Sequence, residues 1–241
     1  MPVMGGGIVA DPRRQQHGVL SSGASAAYIP ETLGLWGVKA DSLALSDGDP
    51  VATWTDEKGN HNLTAAGGAR PTYKATAGPN SKPTVRFDGV ANLMKTGTFA
   101  FSQPCHVFIV FKNLLDDFRY VYSGYAGFGT AMYFGNLNDC NLYAGNAYVP
   151  GTGLGGSAFN ILRAFYNGAS STLHKNNTSL GATGNAGANA GDGIALGGRY
   201  DTSLFSQVDV SEMWVCAPNL GASDIAAMEG ALADKYAITL S

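Results

Sequence analysis

The chain has 241 residues, 45% of them hydrophobic and only 14% charged, with 33 glycines. Apolar content on that scale supports a core that folds without disulfide or metal staples, and it excludes disorder of the whole. Charged residues fall below the usual ~25% and glycine stands at about twice the usual ~7%, a balance that favours turns over amphipathic helices. Fifteen Lys and Arg against eighteen Asp and Glu give a net charge of −3, with no basic stripe to neutralise a phosphate backbone, which argues against a nucleic-acid partner. No apolar run reaches the ~18 residues of a membrane span, so membrane insertion is not expected. Met1 to Ala10 lacks the charged and apolar regions of a signal peptide, and the expectation is synthesis in a host cytoplasm without export. The three cysteines, Cys105, Cys140 and Cys216, are an odd number without metal-ligand spacing and read as reduced, buried thiols.

Met1 to Pro30 opens Met-Gly-Gly-Gly, passes through Asp11-Pro-Arg-Arg-Gln-Gln-His17 and ends in a Ser, Gly and Ala run. It reads as an extended N-terminal arm, residues 1–30, joined to a single domain at 31–241. Ordering each residue costs about 1–2 kcal/mol of backbone entropy, and this segment has too few apolar residues to offset the sum alone. The expectation is that the arm, with Arg13, Arg14 and Tyr28, docks on another subunit or on a second copy of the chain.

From Leu33 onward short apolar runs alternate with turn signals, as a two-sheet sandwich requires. Thr84-Val-Arg-Phe87 has period two and ends at Asp88-Gly89. Val107 to Phe111 is apolar on both faces and predicts a central strand. Tyr120 to Tyr148 concentrates Tyr122, Tyr125, Tyr133, Tyr143 and Tyr148 with Asn136, Asn138 and Asp139, and is the richest recognition surface by composition. Tyrosine stacks on sugar rings and anchors protein interfaces, while aromatics on strands also fill cores. Ile161 to Tyr166, Asn167-Gly168 and Ser170 to His174 read as a hairpin. Gly181 to Gly193 is a small-residue loop, and Ile194 to Leu196 and Val208 to Cys216 supply further strands. Ile225, Met228, Leu232 and Tyr236 recur at helical spacing after Ser223, predicting one helix that packs on the sandwich.

Two stretches carry a family resemblance. Leu33-Gly-Leu-Trp36, Asp47-Gly-Asp49, Trp54-Thr-Asp56, Gly59-Asn60 and Arg86-Phe-Asp-Gly89 form the first; Leu196-Gly-Gly-Arg199, Val210-Ser-Glu212-Met-Trp214 and the closing helix form the second. Together they resemble the laminin-G-like jelly-roll modules of the concanavalin A-like superfamily, over Leu33 to Leu240. The resemblance implies an all-β, two-sheet antiparallel jelly-roll sandwich with one short C-terminal helix. It also implies glycan or protein recognition, and related modules occur in bacteriophage structural proteins.

Members of that superfamily that hydrolyse glycosides resemble Glu-x-Asp-x-x-Glu on one strand, with paired carboxylates. Here the corresponding segment is Gln207-Val-Asp209-Val-Ser-Glu212, which lacks the first carboxylate. Strict strand alternation places Asp209 and Glu212 on opposite faces, with Glu212 read as a buried structural residue. The four histidines sit apart and no Gly-x-Ser-x-Gly elbow is present, so no catalytic residue is assigned. No cofactor is expected, and calcium is the one metal the acidic turns admit, with Asp47, Asp49 and Asp56 as candidate ligands. The resulting expectation is a non-enzymatic bacteriophage virion protein, in head or tail, that displays a lectin-like sandwich toward a cell-surface glycan or other subunits. The alternatives are a carbohydrate-binding adhesion module outside a virion and a glycoside hydrolase or lyase with an unrecognised site.

Overall fold

The computed structural model describes residues 27–115, 117–135, 139–148, 150, 154 and 158–241. The arm expected at 1–30, Arg13 and Arg14 included, lies outside the described residues up to position 26. The chain enters the fold through a short helix, α1 (Ile29–Leu33). Strands β1 (Trp36–Lys39), β2 (Thr53–Trp54), β3 (Leu63–Thr64), β4 (Thr72–Lys74), β5 (Thr84–Asp88) and β6 (Met94–Lys95) lead into the long β7 (Cys105–Asn113). A meander follows, of β8 (Arg119–Ser123), β9 (Ala131–Phe134), β10 (Cys140–Tyr143) and β11 (Ala147–Tyr148). Then come β12 (Asn160–Tyr166), β13 (Thr172–Lys175), β14 (Thr178–Ser179), β15 (Ala195–Leu196), β16 (Gln207–Cys216) and the closing helix α2 (Ala222–Tyr236).

These strands form two antiparallel sheets. The first runs β14-β13-β12-β7-β16-β5-β4, with β1 pairing the far end of β16; the second runs β11-β10-β9-β8-β15-β6-β3-β2. This is the sandwich with one C-terminal helix that the sequence predicts. Between the sheets, Val107, Ile109, Phe111, Val208, Val210, Met213 and Val215 of the first meet Val121, Tyr122, Met132, Phe134 and Leu142 of the second. The opposite faces of β7, β12 and β16 present Phe108, Val110, Ile161, Trp214 and Cys216 to Met228, Leu232, Ala233 and Tyr236 of α2. The double-sided apolar pattern at Val107 to Phe111 thus has its cause: one sheet lies below this strand and a helix above it. None of the described helices is long and apolar enough to cross a membrane.

Local details differ from the sequence pattern. The helix begins at Ala222 with Gly221 at its N-cap, so Ser223 lies inside it and makes no side-chain cap. At the β12–β13 hairpin only Gly168 has positive φ, at 54°, while Asn167 has φ −154°; a short 3-10 turn at Gly168–Ser170 replaces the two-residue turn. The glycines of Leu33-Gly-Leu-Trp-Gly37 make room for an indole: a Cβ at Gly37 would stand 2.1 Å from the Trp214 ring. Cys105, Cys140 and Cys216 are free and buried, and burial pushes the Cys105 and Cys216 thiols up to about 12.

The register of β16 against β7 shifts between Val210 and Glu212, a bulge at Ser211. Val208 and Val210 face the inter-sheet core before it, Met213 and Val215 after it, so Asp209 and Glu212 share the outer face. The expectation of opposite faces fails because one extra residue reverses the alternation. Both carboxylates are nonetheless occupied. Asp209 accepts two hydrogen bonds from Arg86, each 2.7 Å. Glu212, fully buried, accepts from Trp214 Nε1 at 2.6 Å and from Lys235 Nζ and Tyr236 Oη, both at 2.7 Å. Burial and the Glu212 carboxylate hold the Tyr236 hydroxyl well above its ordinary pKa, so it remains a donor. A second buried pair, Arg163 Nε to Glu229 Oε1 at 2.9 Å, ties β12 to α2.

Removing one member of a buried charged network leaves the others unpaired, at about 3–5 kcal/mol. Glu212→Ala should therefore lower the urea midpoint by that much stability with an unchanged m-value; a loss under 1 kcal/mol would contradict the network's role.

Burial holds His106 and His174 down to about 4, from 6.5, with Arg163 adding to the effect on both. The unfolded chain takes up these protons below about pH 6.5 and the folded chain only near 4, so their contribution is complete above 6.5 and lost on acidification toward 4. The melting temperature should fall across that window, and the His106→Gln/His174→Gln double variant should flatten the slope. An equally steep slope in the double variant would assign it to other groups.

Candidate functional site

The outer face of the first sheet lies beneath α1 and α2. The outer face of the second carries a layer of aromatic side chains. On β9, Met132 and Phe134 turn inward while Ala131 and Tyr133 turn outward. On β8 a bulge between Tyr120 and Tyr122 breaks the alternation, sending Tyr120 outward and both Val121 and Tyr122 into the core. Tyr143 of β10 joins Tyr120 and Tyr133 on the outside, with Phe128 and Leu204 packed against them. The Tyr120 and Tyr133 rings stack at 5.0 Å, Phe118 meets Tyr133 edge-on at 5.5 Å, and Phe128 lies 5.4 Å from Tyr143. Phe118 is 40% exposed at the rim.

A hairpin stands over this face, closed by pairing of Arg199 with Ser203. Asp201 holds it by accepting from Arg199 Nε at 3.0 Å and from Ser203 Oγ at 2.6 Å, and these bonds keep its carboxyl below the usual range. The Arg199 guanidinium lies 5.3 Å from the Phe128 ring, and Tyr200 meets Phe128 edge-on at 5.0 Å. Phe128 itself is placed by the β8–β9 loop, whose Tyr125 and Ala126 amides donate to Asp192 at 3.0 and 3.1 Å. That carboxylate needs a glycine wall: a Cβ at Gly124 would stand 2.1 Å from Asp192 Oδ1. On the other flank of the hairpin lies a groove of about 360 Å³, lined by Thr64, Ala65, Ala66, Lys95, Thr202 and Phe205 among others. Lys95 Nζ donates to the Tyr200 carbonyl at 3.0 Å and lies 4.8 Å from the Tyr125 ring.

Of the expected recognition residues, the structure brings Tyr133, buried, and Tyr143, partly buried, together on the outer side of the second sheet and sets Tyr125 on the neighbouring loop. Tyr122 is instead fully buried: its hydroxyl donates to Tyr166 Oη at 2.6 Å, which donates to the Ala131 carbonyl at 2.7 Å. Tyr148 belongs to the inter-sheet core, with its hydroxyl donating to the Ala182 carbonyl. Asp139 precedes β10, and its Oδ1 is shielded from solvent, as is Oδ1 of Asn141, with neither bonded among the described residues. Asn136 and Asn138 lie outside the described residues. Tyr28, expected in the assembly arm, packs on its own domain beside α2, its ring 5.0 Å from Lys235 Nζ.

The proposed calcium ligands serve backbone amides instead. Asp56 accepts from Gly37, Lys58, Asn60 and His61 at 3.0–3.1 Å, Asp49 from Ser46 at 2.8 Å and Asp47 from Ala75 at 3.0 Å. Among the described residues no three His, Cys, Asp or Glu converge on a metal position. Phe118, Phe128, Tyr200, Lys95 and Asp192 were not singled out from the sequence, and Arg199 only as part of a family motif, since they reach this region from segments scattered along the chain.

A second cleft of about 390 Å³ opens at the seam of α1, β1 and α2, lined by Tyr28, Glu31, Lys39, Asp41, Lys82 and Lys235. Lys39 pairs with Glu31 and, at 3.3 Å, with Glu57; Lys235 pairs with Asp41 at 3.1 Å.

No family model matches the chain, and no curated protein matches its sequence. Solved structures match its fold. A Trypanosoma rangeli sialidase in complex with 2,3-difluorosialic acid aligns with TM-score 0.59 and 12% identity, over 91% of this chain and 35% of the sialidase. Domain 4 of AbnA, a GH43 extracellular arabinanase from Geobacillus stearothermophilus in complex with arabinotriose, aligns with TM-score 0.55 and 11% identity, over 76% of this chain and 100% of that domain. An arabinofuranosidase complexed with arabinofuranosyl-alpha-1,2-xylobiose gives 0.56 and 13%, over 84% and 59%. The chain thus spans about a third of the sialidase. At these identities the likeness establishes a shared jelly-roll-like β-sandwich. The expectation of a non-enzymatic bacteriophage virion protein is overturned by these matches, because the sialidase, arabinanase and arabinofuranosidase named here are glycoside hydrolases.

Asp192→Ala should release the β8–β9 loop while the sheets persist. Limited proteolysis should cut the variant between Gly124 and Gly129 at least several-fold faster than the parent; equal rates would remove Asp192 from the role of loop anchor.

Proposed function

We propose that the chain is a concanavalin A-like sandwich of the laminin-G-like kind that works in glycoside hydrolysis, holding glycan on the aromatic outer face of its second sheet. The observation that carries this reading is the aromatic layer on that face, in which buried Tyr120 and Tyr133 back the partly exposed rings of Phe128 and Tyr143, with Phe118 exposed at the rim. The apolar face of a sugar ring covers an aromatic ring, while its equatorial hydroxyls stay in water or meet polar groups. The match to a whole arabinanase domain described with bound arabinotriose supports the same reading. Attachment to a further subunit through residues 1–26 is part of the proposal, with Tyr28 and α1 marking where that segment joins the domain.

The seam cleft favours a second reading, in which the chain itself cleaves a glycosidic bond. Two carboxylates, Glu31 and Asp41, line that one cleft, and hydrolysis needs an acid and a base or nucleophile on either side of the bond. Asp209 and Glu212 do not compete for this role, because their side chains are fully buried, whereas Glu31 and Asp41, though paired with Lys39 and Lys235, keep 41% and 34% of their side-chain surface exposed.

Titration calorimetry with arabino-, xylo- and sialo-oligosaccharides separates these readings. Under the first, the chain binds at least one class, and Phe118→Ala and Tyr143→Ala each raise Kd about 3- to 30-fold, the range for losing one aromatic contact of ~0.5–2 kcal/mol. Variants that bind as the parent does would move the site off this face, and no binding to any glycan would overturn the reading. Cleavage of an oligosaccharide that disappears in Glu31→Gln or Asp41→Asn would establish the second.

A further inference from the structure

We infer that the groove beside the Arg199–Ser203 hairpin receives a carboxylate-bearing sugar unit, so that the glycan held on the neighbouring aromatic face is an acidic one. The inference rests on the glycan-binding reading and adds the charge of the ligand to it. Its basis is Lys95. None of the ion pairs among the described residues includes this ammonium. Of its three donors one goes to the Tyr200 carbonyl, and the Tyr125 ring lies on one side at 4.8 Å. The charge is therefore held in place at the groove by a neutral acceptor and a π face, without a counter-ion.

The groove around it fits a ring. Ala65, Ala66 and Ala69 line it with small side chains, and Phe205 adds an aromatic ring to the lining. Thr64 and Thr202 also line it, their hydroxyls donating to the Lys95 and Asp201 carbonyls. A volume of about 360 Å³ lies at the small end of ligand sites, the scale of one sugar unit. Continuity with the aromatic face comes through the hairpin: Tyr200 gives its ring to Phe128 on one side and its carbonyl to Lys95 on the other. Among the described residues, the cation close to the face without a carboxylate partner is thus at its groove end, because Arg199 is already paired with Asp201. A carboxylate reaching Lys95 from a sugar seated against Phe205 completes the charge pair, whereas a neutral sugar leaves it unmet.

The test uses the full chain and matched ligand pairs in calorimetry: a uronate-containing oligosaccharide against its neutral hexose counterpart, and a sialylated glycan against its desialylated form, with decanoate as an apolar carboxylate. The acidic member of at least one pair should bind about tenfold or more tightly, with the preference shrinking as salt rises from 50 to 500 mM, roughly as screening dictates. Lys95→Met should bring the acidic-to-neutral ratio close to one, and Lys95→Arg should retain a preference; both are checked for an unchanged melting temperature. Should Lys95→Met fail to fold, the salt dependence of the parent and the Lys95→Arg ratio decide the matter. Equal binding of both members of every pair overturns the inference and leaves the glycan-binding reading intact. Binding of decanoate without any acidic sugar also overturns it, and absence of all glycan binding overturns both.

Discussion

The carboxylate of Glu212, buried under α2 with three donors around it, decides which side of this sandwich is open. A lone ionised carboxylate in that position would cost several kcal/mol, and it persists only because an indole, a phenol and an ammonium converge on it. Two of those donors, Lys235 and Tyr236, sit on the last turn of α2. Arg163 and Glu229 make the second attachment from β12. The helix is thereby pinned across β7, β12 and β16, and its apolar stripe covers Phe108, Val110, Ile161 and Trp214. With that face covered by α2, the face without a helix over it among the described residues belongs to the second sheet.

Two bulges then determine what each face displays. Along β16 the extra residue at Ser211 brings Glu212 to the helix side; without it, Glu212 would point into the inter-sheet core among Val210 and Met213. Along β8 the irregularity between Tyr120 and Tyr122 does the reverse service, keeping one tyrosine outside and sending the next but one inside. The buried Tyr122 is satisfied by Tyr166 and the Ala131 carbonyl, so its hydroxyl carries no unmet polar group into the core.

These same bulges mark where the sequence stops being legible. Period-two runs, double-sided apolarity at Val107 to Phe111 and helical spacing at Met228, Leu232 and Tyr236 report burial directly, and the sandwich and its helix follow from them. A bulge leaves no such trace: Val210-Ser-Glu reads as uninterrupted alternation, and the face of Glu212 came out wrong accordingly, while Tyr122, counted by composition among the recognition residues, lies in the core. The candidate face was legible only in part. Tyr133 and Tyr143 lie within one composition-rich segment, but Phe128 depends on Asp192, some sixty residues on, and the hairpin at Arg199 arrives from the far side of β15. Long-range juxtaposition of that kind is set by sheet order, which local spacing does not encode.

The charge sparsity of the chain acquires a meaning on this face. With only 14% charged residues in the chain, two charges beside the aromatic layer serve its geometry. Arg199 is neutralised by Asp201 within its own hairpin, and Asp192 is consumed by two amides of the loop it anchors. Both are spent on holding Phe128, one from above and one from behind. Charge here serves to fix aromatic geometry. A rigid layer of rings loses little entropy when a ligand settles on it, because the side chains are already held in their bound arrangement. On the proposed glycan-binding reading, such a face would draw its affinity from contact area and preorganisation.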